Sequence, residues 1–280
     1  MQIEKFADQF ELLAEAYGIT TAALHQRMRD DDRPRWIAVD NGRGLGAAVA
    51  WRDPDRRVRL TLDCHDSTAY RPLVHAAAAD IKTDIHTSVS GSDLLLRRAF
   101  TAEGFRLDFT EDVFAARFTT AARALKPARL PDGYTLITAD RADGRSWFTL
   151  DNTLRQDVRG CEGWRGDLKW FAEHNQDSAD FDPSAYLIAV DDTNGEYAGL
   201  VRFRKHREAG PRLEMLAVLR QYRACGLGRA LLARGVDIAS AWGHDGFTGA
   251  TARDAAAMRS LWITMGATDT DSRQTLVLRR

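Results

Sequence analysis

One stretch in the second half of the chain decides the fold: residues 213–232 read LEMLAVLRQYRACGLGRALL. The apolar run up to Val218 predicts a strand, and the residues from about Gly226 onward predict a helix. A short polar turn joins them. A strand that passes through such a turn into a helix leaves unpaired backbone N–H groups at the positive end of the helix dipole. The pattern therefore predicts a site for phosphate oxygens.

Two glycines in this turn support that prediction. Gly226 and Gly228 have no Cβ, so a pyrophosphate can approach the backbone closely, and Arg223 and Arg229 add positive charge nearby. The spacing is not that of a P-loop, which requires GxxxxGK followed by Ser or Thr. It is also not the Rossmann fingerprint GxGxxG, because Leu231 stands where the third glycine would be.

The whole motif resembles the acyl-CoA-binding motif of the GNAT acetyltransferase superfamily. That motif is (Q/R)xxGx(G/A), and residues 223–228 read RACGLG after a strand end similar to the L-x-V of the family. The resemblance covers about residues 132–280 well and implies acetyl-CoA as co-substrate and no metal. The alternative is a glycine-capped helix in an unrelated α/β protein. The residues implied to contact acetyl-CoA are Leu216, Ala217, Val218, Arg223, Ala224, Cys225, Gly226, Leu227, Gly228 and Arg229.

The first half of the chain repeats a pattern found in the second half. The tetrapeptide IAVD occurs at Ile37–Asp40 and again at Ile188–Asp191, each time at the end of a predicted strand and before a turn and a second strand. This predicts the same hairpin twice. Residues 65–71, the loop before the corresponding helix of the first half, contain no glycine. The chain thus resembles a tandem GNAT protein with a degenerate first copy, an arrangement also found in mycothiol synthases.

The length of 280 residues also fits two domains. Each half is predicted to be a mixed α/β (α+β) unit, with a mostly antiparallel sheet flanked by helices. We expect a degenerate GNAT-like domain at 1–118 and an acyl-CoA-binding GNAT domain at 132–280. The segment between them, 119–131, is rich in Ala and Arg and contains Pro127 and Pro131, so it is predicted to be a linker.

Glu214 is the candidate catalytic base. In GNAT enzymes an acceptor amine attacks the thioester carbonyl directly, so the ammonium must first lose a proton. Several family members carry an acid at this place in the strand, and alternation puts Glu214 on one face with Leu216 and Val218. The alternative is a surface carboxylate. A strand amide near Val218 is expected to polarise the carbonyl oxygen.

The usual general acid of the family is missing. Counting back from Gly266, Ala255 and Trp262 occupy the positions where many members carry Asn and Tyr. A tryptophan N–H donates hydrogen bonds but is not a usable acid. Trp262 also belongs to an apolar stripe with Met258 and Leu261, which predicts a buried helix face. No general acid is therefore assigned.

Composition restricts the other classes of function. The chain has 39 basic and 40 acidic residues and a formal net charge of −1, which argues against nucleic acid as the main partner. Cys64, Cys161 and Cys225 lie far apart, which argues against a disulfide framework and a thiolate zinc site. Neither a secretory signal nor a membrane span is predicted. We expect a cytoplasmic monomer or homodimer.

The expected function is therefore N-acyl transfer. An acetyl group would pass from acetyl-CoA to a primary amine of a small molecule, such as an antibiotic or a specialised metabolite. The resemblance implies that the first helices and their loop, within 144–184, cover the acceptor side, where acidic and aromatic residues would hold a cationic amine. The alternative is that these aromatics belong to the core, so none is assigned as a ligand. Two alternatives stay open: an acyl-CoA-binding sensor without catalysis, suggested by the missing acid, and an acyltransferase acting on a tRNA-borne or protein amine, suggested by the abundance of Arg.

Overall fold

The computed structural model describes residues 1–28, 31–175, 180–206 and 209–280. The strands are β1 (Gln2–Lys5), β2 (Arg35–Asp40), β3 (Arg43–Arg52), β4 (Val58–Cys64), β5 (Ile85–Ser90), β6 (Arg106–Arg117), β7 (Tyr134–Thr138), β8 (Tyr186–Asp191), β9 (Tyr197–Arg204), β10 (Arg212–Val218), β11 (Gly246–Ala252) and β12 (Thr268–Leu278). The α-helices are α1 (Phe10–Ala16), α2 (Thr21–Arg27), α3 (Tyr70–Asp80), α4 (Leu94–Ala102), α5 (Phe118–Leu125), α6 (Gly144–Arg155), α7 (Leu168–Asn175), α8 (Leu227–Ser240) and α9 (Ala256–Thr264).

The chain forms two compact units with the same strand order. In the first unit the order is β1–β2–β3–β4–β5–β12, and in the second it is β7–β8–β9–β10–β11–β6. Neighbouring strands are antiparallel except for one parallel pair at the same place in each unit, β4 with β5 and β10 with β11. The prediction of two tandem units, each with a mixed and mostly antiparallel sheet flanked by helices, is confirmed.

The repeated tetrapeptide occupies equivalent positions in the two sheets. Ile37–Asp40 lies in β2 and Ile188–Asp191 lies in β8. Both strands pair with the next strand as a hairpin, and both ladders shift register after the alanine of the tetrapeptide, at Ala38/Val39 and at Ala189/Val190. A matching irregularity in matching hairpins is what a duplicated segment produces.

The units are bounded differently from the predicted domains. The first unit is Met1–Thr110 together with Ser272–Arg280, and the second is Glu111–Asp271. The last part of β12 pairs antiparallel with β5, whereas the last part of β6 pairs antiparallel with β11. The sequence pattern predicts both final strands, but hydrophobic alternation specifies which face of a strand is buried, not which strand it joins.

The predicted linker 119–131 contains most of a helix. Phe118, Ala121 and Leu125 of α5 are buried in the core of the second unit. Their spacing is helical, and the prolines that favoured a linker follow the helix rather than interrupt it.

The sheet of the second unit is buried on both faces. Alternate residues of β8 separate between two cores: Leu187 and Ala189 pack with the residues of α8, whereas Tyr186 and Ile188 pack with Trp147 of α6. A strand that lies between two cores carries apolar residues on both sides, so the sequence of β8 is a continuous hydrophobic run. No helix in the described ranges is long and apolar enough to cross a membrane.

Candidate active site

The cleft between β10 and β11 is the candidate active site. These two strands run parallel, but their ladder contains only the pairs Arg212 with Thr248 and Leu213 with Gly249. Beyond these pairs the strands separate, and a cavity of about 790 Å³ opens beside them. A cavity of this size is in the range of sites for small organic ligands and cofactors.

A β-bulge in β10 lies where the strands separate. Leu213 is opposite Phe203 and Met215 is opposite Arg202, so Glu214 is the additional residue of the bulge. The alternation that placed Glu214 with Leu216 and Val218 therefore does not hold. Leu216 and Val218 pack with the core on the α8 side, whereas Glu214 contacts Arg202, and its side chain lines the cleft.

The edge of β10 beyond the bulge presents backbone donors to the cleft. The N–H of Leu219 donates to the carbonyl of Ala198 on the β9 side. Because successive N–H groups of an extended chain point in opposite directions, the N–H groups of Val218 and Leu216 point to the opposite edge. That edge faces the cleft, since Leu216, Ala217 and Val218 all line it. An extended ligand lying there would meet donors at every second residue.

The turn after β10 leads directly into α8. Ala224 has φ 64° and Gly226, the residue that precedes α8, has φ 91°. The first backbone bond of the helix runs from the N–H of Ala230 to the carbonyl of Gly226. Among the described residues, the six consecutive N–H groups of residues 224–229 have no acceptor. Six open donors at the positive end of a 14-residue helix form an anion site.

The arginines of this loop are already engaged. Arg223 Nε donates to the Val218 carbonyl at 2.8 Å, and Arg223 Nη2 donates to Asp157 at 2.7 Å. Arg220 Nη2 is 2.5 Å from the same Asp157 carboxylate. Arg229 Nη2 donates to the Ala124 carbonyl at 2.7 Å, at the end of α5. The open charges predicted for Arg223 and Arg229 are therefore partly satisfied within the chain.

Asp157 is a cleft residue that the sequence analysis missed. It lies just after α6 and lines the cleft. Hydrogen bonds from Arg220, assisted by Arg223, lower its pKa to about 2, so it is ionised at neutral pH. No local pattern relates residue 157 to residues 220 and 223, because the contact forms only when the fold brings two distant segments together.

Glu214 lies in a strongly positive environment. Its Oε2 is 2.7 Å from Arg204 Nε and 3.2 Å from Arg202 Nε. Burial raises the pKa of Glu214, but Arg202, Arg204 and Arg212 outweigh burial, so the pKa lies below its ordinary value. The carboxylate is held in its charged form at neutral pH.

A charged network beneath the cleft fixes Arg202, whose side chain is almost completely buried. Its Nη1 donates to the Asn175 side-chain oxygen at 2.5 Å and to the Tyr186 hydroxyl at 3.1 Å, and lies 3.8 Å from the Asp151 carboxylate. Burial alone lowers the pKa of Arg202, but its neighbours Tyr186, Asp151 and Glu214 raise it overall. Among the acids and aromatics of 144–184, Trp147 and Asp151 are therefore buried structural residues.

Trp262 is fully buried. Its ring stacks on Phe114 with centroids 5.5 Å apart, and its Nε1 has no hydrogen-bond partner among the described residues. Met258 and Leu261, its neighbours on the same helix, line the cleft instead. Of the predicted buried stripe, Trp262 is fully buried, whereas Met258 and Leu261 are half-buried at the cleft. Trp262 offers no proton to the cleft.

Nine of the ten residues expected to contact acetyl-CoA line the cleft. The exception is Cys225, which is exposed and whose Sγ donates to the Tyr222 carbonyl. Whether these residues contact a ligand stays a prediction. Within the described ranges, no group of three or more His, Cys, Asp or Glu side chains is placed to hold a metal ion.

The turn of the first unit that corresponds to residues 219–226, described in full, is built differently. At the corresponding turn before α3, the Asp66 carboxylate accepts from the Thr68 N–H at 2.9 Å and from the Thr68 hydroxyl at 2.7 Å. These bonds keep the pKa of Asp66 below its ordinary value. An internal carboxylate thus takes up a backbone N–H of this turn, which agrees with the predicted degeneration of this copy.

The splayed parallel strand pair and the helix start with open amides agree with the arrangement that the resemblance to GNAT acetyltransferases implies. Residues 151–266 match the family model described as Acetyltransferase (GNAT) family. The second unit therefore carries a GNAT acetyltransferase domain, and the chain is a transferase with two GNAT folds in tandem.

Solved structures share this tandem fold over almost the whole chain. A GCN5-related N-acetyltransferase from Sphaerobacter thermophilus has a TM-score of 0.67 at 14% identity, covering 99% of this chain and 95% of its own. A tandem GNAT protein from the clavulanic acid biosynthesis pathway has a TM-score of 0.68 at 16% identity, covering 99% and 98%. At these identities the likeness establishes the fold. No curated protein sequence matches the chain.

Proposed function

We propose that the second unit transfers an acetyl group from acetyl-CoA to a primary amine of a small molecule, such as an antibiotic or a specialised metabolite. The observation that carries this proposal is the run of six N–H groups without acceptors at residues 224–229. These residues form the turn before α8 and the first residues of the helix, at the mouth of the cleft. A pyrophosphate is the part of acetyl-CoA that such a site accepts. Bound acetyl-CoA supplies the activated acetyl thioester.

The chain's own residues would then position the ligand. The N–H groups of 224–229 hold the pyrophosphate, and Gly226 leaves open space, because a Cβ built there meets nothing within 4 Å. The edge of β10 at Leu216, Ala217 and Val218 accommodates the extended arm. The N–H of Val218 donates to the carbonyl oxygen, where negative charge develops during attack.

Glu214 is proposed to accept the proton that the ammonium must lose. It lines the cleft at the bulge, on the side of the sheet that faces α6 rather than α8. Its lowered pKa keeps it ionised, so it also attracts a cationic amine by charge. The same low pKa means that the carboxylate does not retain the proton at neutral pH.

The change Glu214→Gln is expected to lower kcat at least about tenfold and to leave the Kd of acetyl-CoA unchanged. Removing a general base ordinarily costs about 10²–10⁴ in rate, with the lower end reached where water substitutes. Steady-state kinetics and calorimetry measure the two quantities. Equal kcat values for both proteins from pH 6 to 9 would show that Glu214 has no part in proton transfer.

The change Asp157→Asn is expected to lower the Kd of CoA about two- to fivefold, which corresponds to the free energy that an exposed ion pair contributes. Asp157 competes with phosphate for Arg220 and Arg223, and Asn keeps its size without its charge. Since the pKa of Asp157 is about 2, the competing charge is present at neutral pH and is lost only as pH falls through that value. Calorimetry with CoA tests this, and weaker binding would instead mean that Asp157 orients the arginines.

The proposed function is tested by following free thiol release from acetyl-CoA. The amines offered are glucosamine, spermidine, tyramine and a lysine-containing peptide. Release that depends on an amine and yields the acetylated amine supports the proposal. Tight acetyl-CoA binding without transfer to any amine supports a sensor, which the burial of Trp262 at the expected acid position favours.

A further inference from the structure

A histidine lies between Glu214 and a second carboxylate. His206 follows β9, and its Nε2 is 3.3 Å from Glu214 Oε1. Its Nδ1 is 3.5 Å from Asp180 Oδ2, in the segment before β8. The three residues thus form a continuous line of polar contacts from the cleft, which Glu214 lines, to the solvent-accessible side chains of His206 and Asp180.

The backbone holds His206 in an unfavourable conformation. Its φ is 37°, in the left-handed region that residues with a Cβ rarely occupy. A residue kept there costs on the order of 1–3 kcal/mol and persists where the surrounding structure requires it. In this conformation both ring nitrogens lie near carboxylates.

The two oxygens of Glu214 have different surroundings. Oε2 is bound by Arg202 and Arg204, whereas Oε1 faces His206. Among the described residues, the charged groups in contact with the imidazole are Glu214 on β10 and Asp180 before β8. The preceding side chain, Lys205, is engaged with Asp182 at 2.9 Å. The imidazole therefore lies between two carboxylates, one facing each ring nitrogen.

The proposed chemistry leaves Glu214 with a proton that it holds weakly. Its pKa is below the ordinary value, so a proton taken from an ammonium must move on before the next turnover. Imidazole is the side chain that ordinarily accepts and releases protons between about pH 5 and 8. A ring nitrogen at 3.3 Å, tightening to a hydrogen bond when the site is loaded, is a suitable next acceptor.

We infer that His206 is a positioning residue that relays the amine proton from Glu214 to solvent, and that Asp180 orients its ring; this inference rests on the proposed function. The ammonium N–H bond breaks, its electron pair stays on nitrogen, and the proton goes to Glu214 Oε1. That proton passes to His206 Nε2, and the resulting imidazolium, stabilised by Asp180, releases one proton to water. Glu214 and His206 return to their starting states.

The variant His206→Asn tests the relay. Asn adopts positive φ more readily than most residues but cannot carry the proton, so the fold is spared. We expect kcat with acetyl-CoA and the responsive amine to fall about 100-fold, at the low end for a proton-transfer group, with the KM of acetyl-CoA unchanged. The decrease in rate that follows imidazole protonation at acidic pH disappears, and added imidazole restores part of the rate. The control is His75→Asn, an exposed histidine of the first unit that contacts Glu103 at 2.8 Å.

An unchanged pH profile in His206→Asn, together with a loss of activity in Glu214→Gln, would overturn the relay while leaving the proposed function intact. If the wild type transfers acetyl to no amine, the proposed function fails. Long-range ¹H–¹⁵N spectra of the histidine rings then decide the relay itself. At fixed pH, Glu214→Gln and Asp180→Asn are each expected to shift His206 toward its neutral form. An unaltered ring in both variants would contradict the inference.

Discussion

Glutamate in place of Gly228 is expected to abolish CoA binding while the protein stays folded. Gly228 lies in the first turn of α8, and a Cβ there would meet only Val218 Cγ2, at 3.7 Å. An acidic side chain in the first turn of a helix interacts favourably with the helix dipole, so the substitution does not weaken α8. The added carboxylate takes up open N–H donors of 224–229 and repels phosphate.

The expected loss is large because each such donor makes a charge-assisted bond. Losing two of them removes about 3–6 kcal/mol, which weakens binding about 100-fold or more. Calorimetry with CoA measures the effect, and the thermal midpoint confirms that folding is intact. Ser67→Glu, at the corresponding turn of the first unit, is the matched control and should leave the Kd unchanged. Retained affinity in Gly228→Glu would mean that the pyrophosphate binds elsewhere.

Methionine in place of Arg202 is expected to destabilise the second unit by about 3–5 kcal/mol. The side chain is 6% exposed and contacts Asp151, Tyr186, Asn175 and Glu214. Methionine preserves the apolar stem but removes the charge. Among the described residues, Asp151, which is 1% exposed, then keeps Arg155 as its charged partner at 2.5 Å. A buried charge that loses a partner costs much more than an exposed one.

Chemical denaturation measures this loss, and the same substitution at an exposed ion pair is its control. Arg220 is 78% exposed and pairs with Asp157, so Arg220→Met should cost less than about 1 kcal/mol. If both variants lose the same stability, burial does not determine the contribution of Arg202. Because Arg202 also holds Glu214, kcat is expected to fall in Arg202→Met even where the protein remains folded.

The sequence predicted the parts of the fold that depend on local patterns. The turn before α8 follows from two glycines and a strand that ends at Val218, and the repeated IAVD marks equivalent hairpins in β2 and β8. The sequence did not predict which strands pair with one another. Hydrophobic alternation is the same whether β12 joins one sheet or the other, so the exchange of final strands left no sequence signal.

The candidate site was predictable along one segment but not across segments. The residues of 216–229 were found because they are consecutive and follow a recognisable motif. Asp157 was missed because its contact with Arg220 joins segments that are distant in sequence. His206 was missed because its contact with Glu214 depends on the bulge in β10. The bulge also reversed the expected face of Glu214, since one additional residue changes the alternation that follows.

The placement of the final strand constrains how the protein is made. The edge of β5 gains its partner only when Ser272–Arg280 has left the ribosome, long after the rest of the first unit. Until then this edge presents unpaired backbone groups that invite intermolecular pairing. The second unit, Glu111–Asp271, is continuous in sequence, whereas the first unit is completed by a segment that follows the second. A cut between the two units would therefore leave the sheet of the first unit without its last strand.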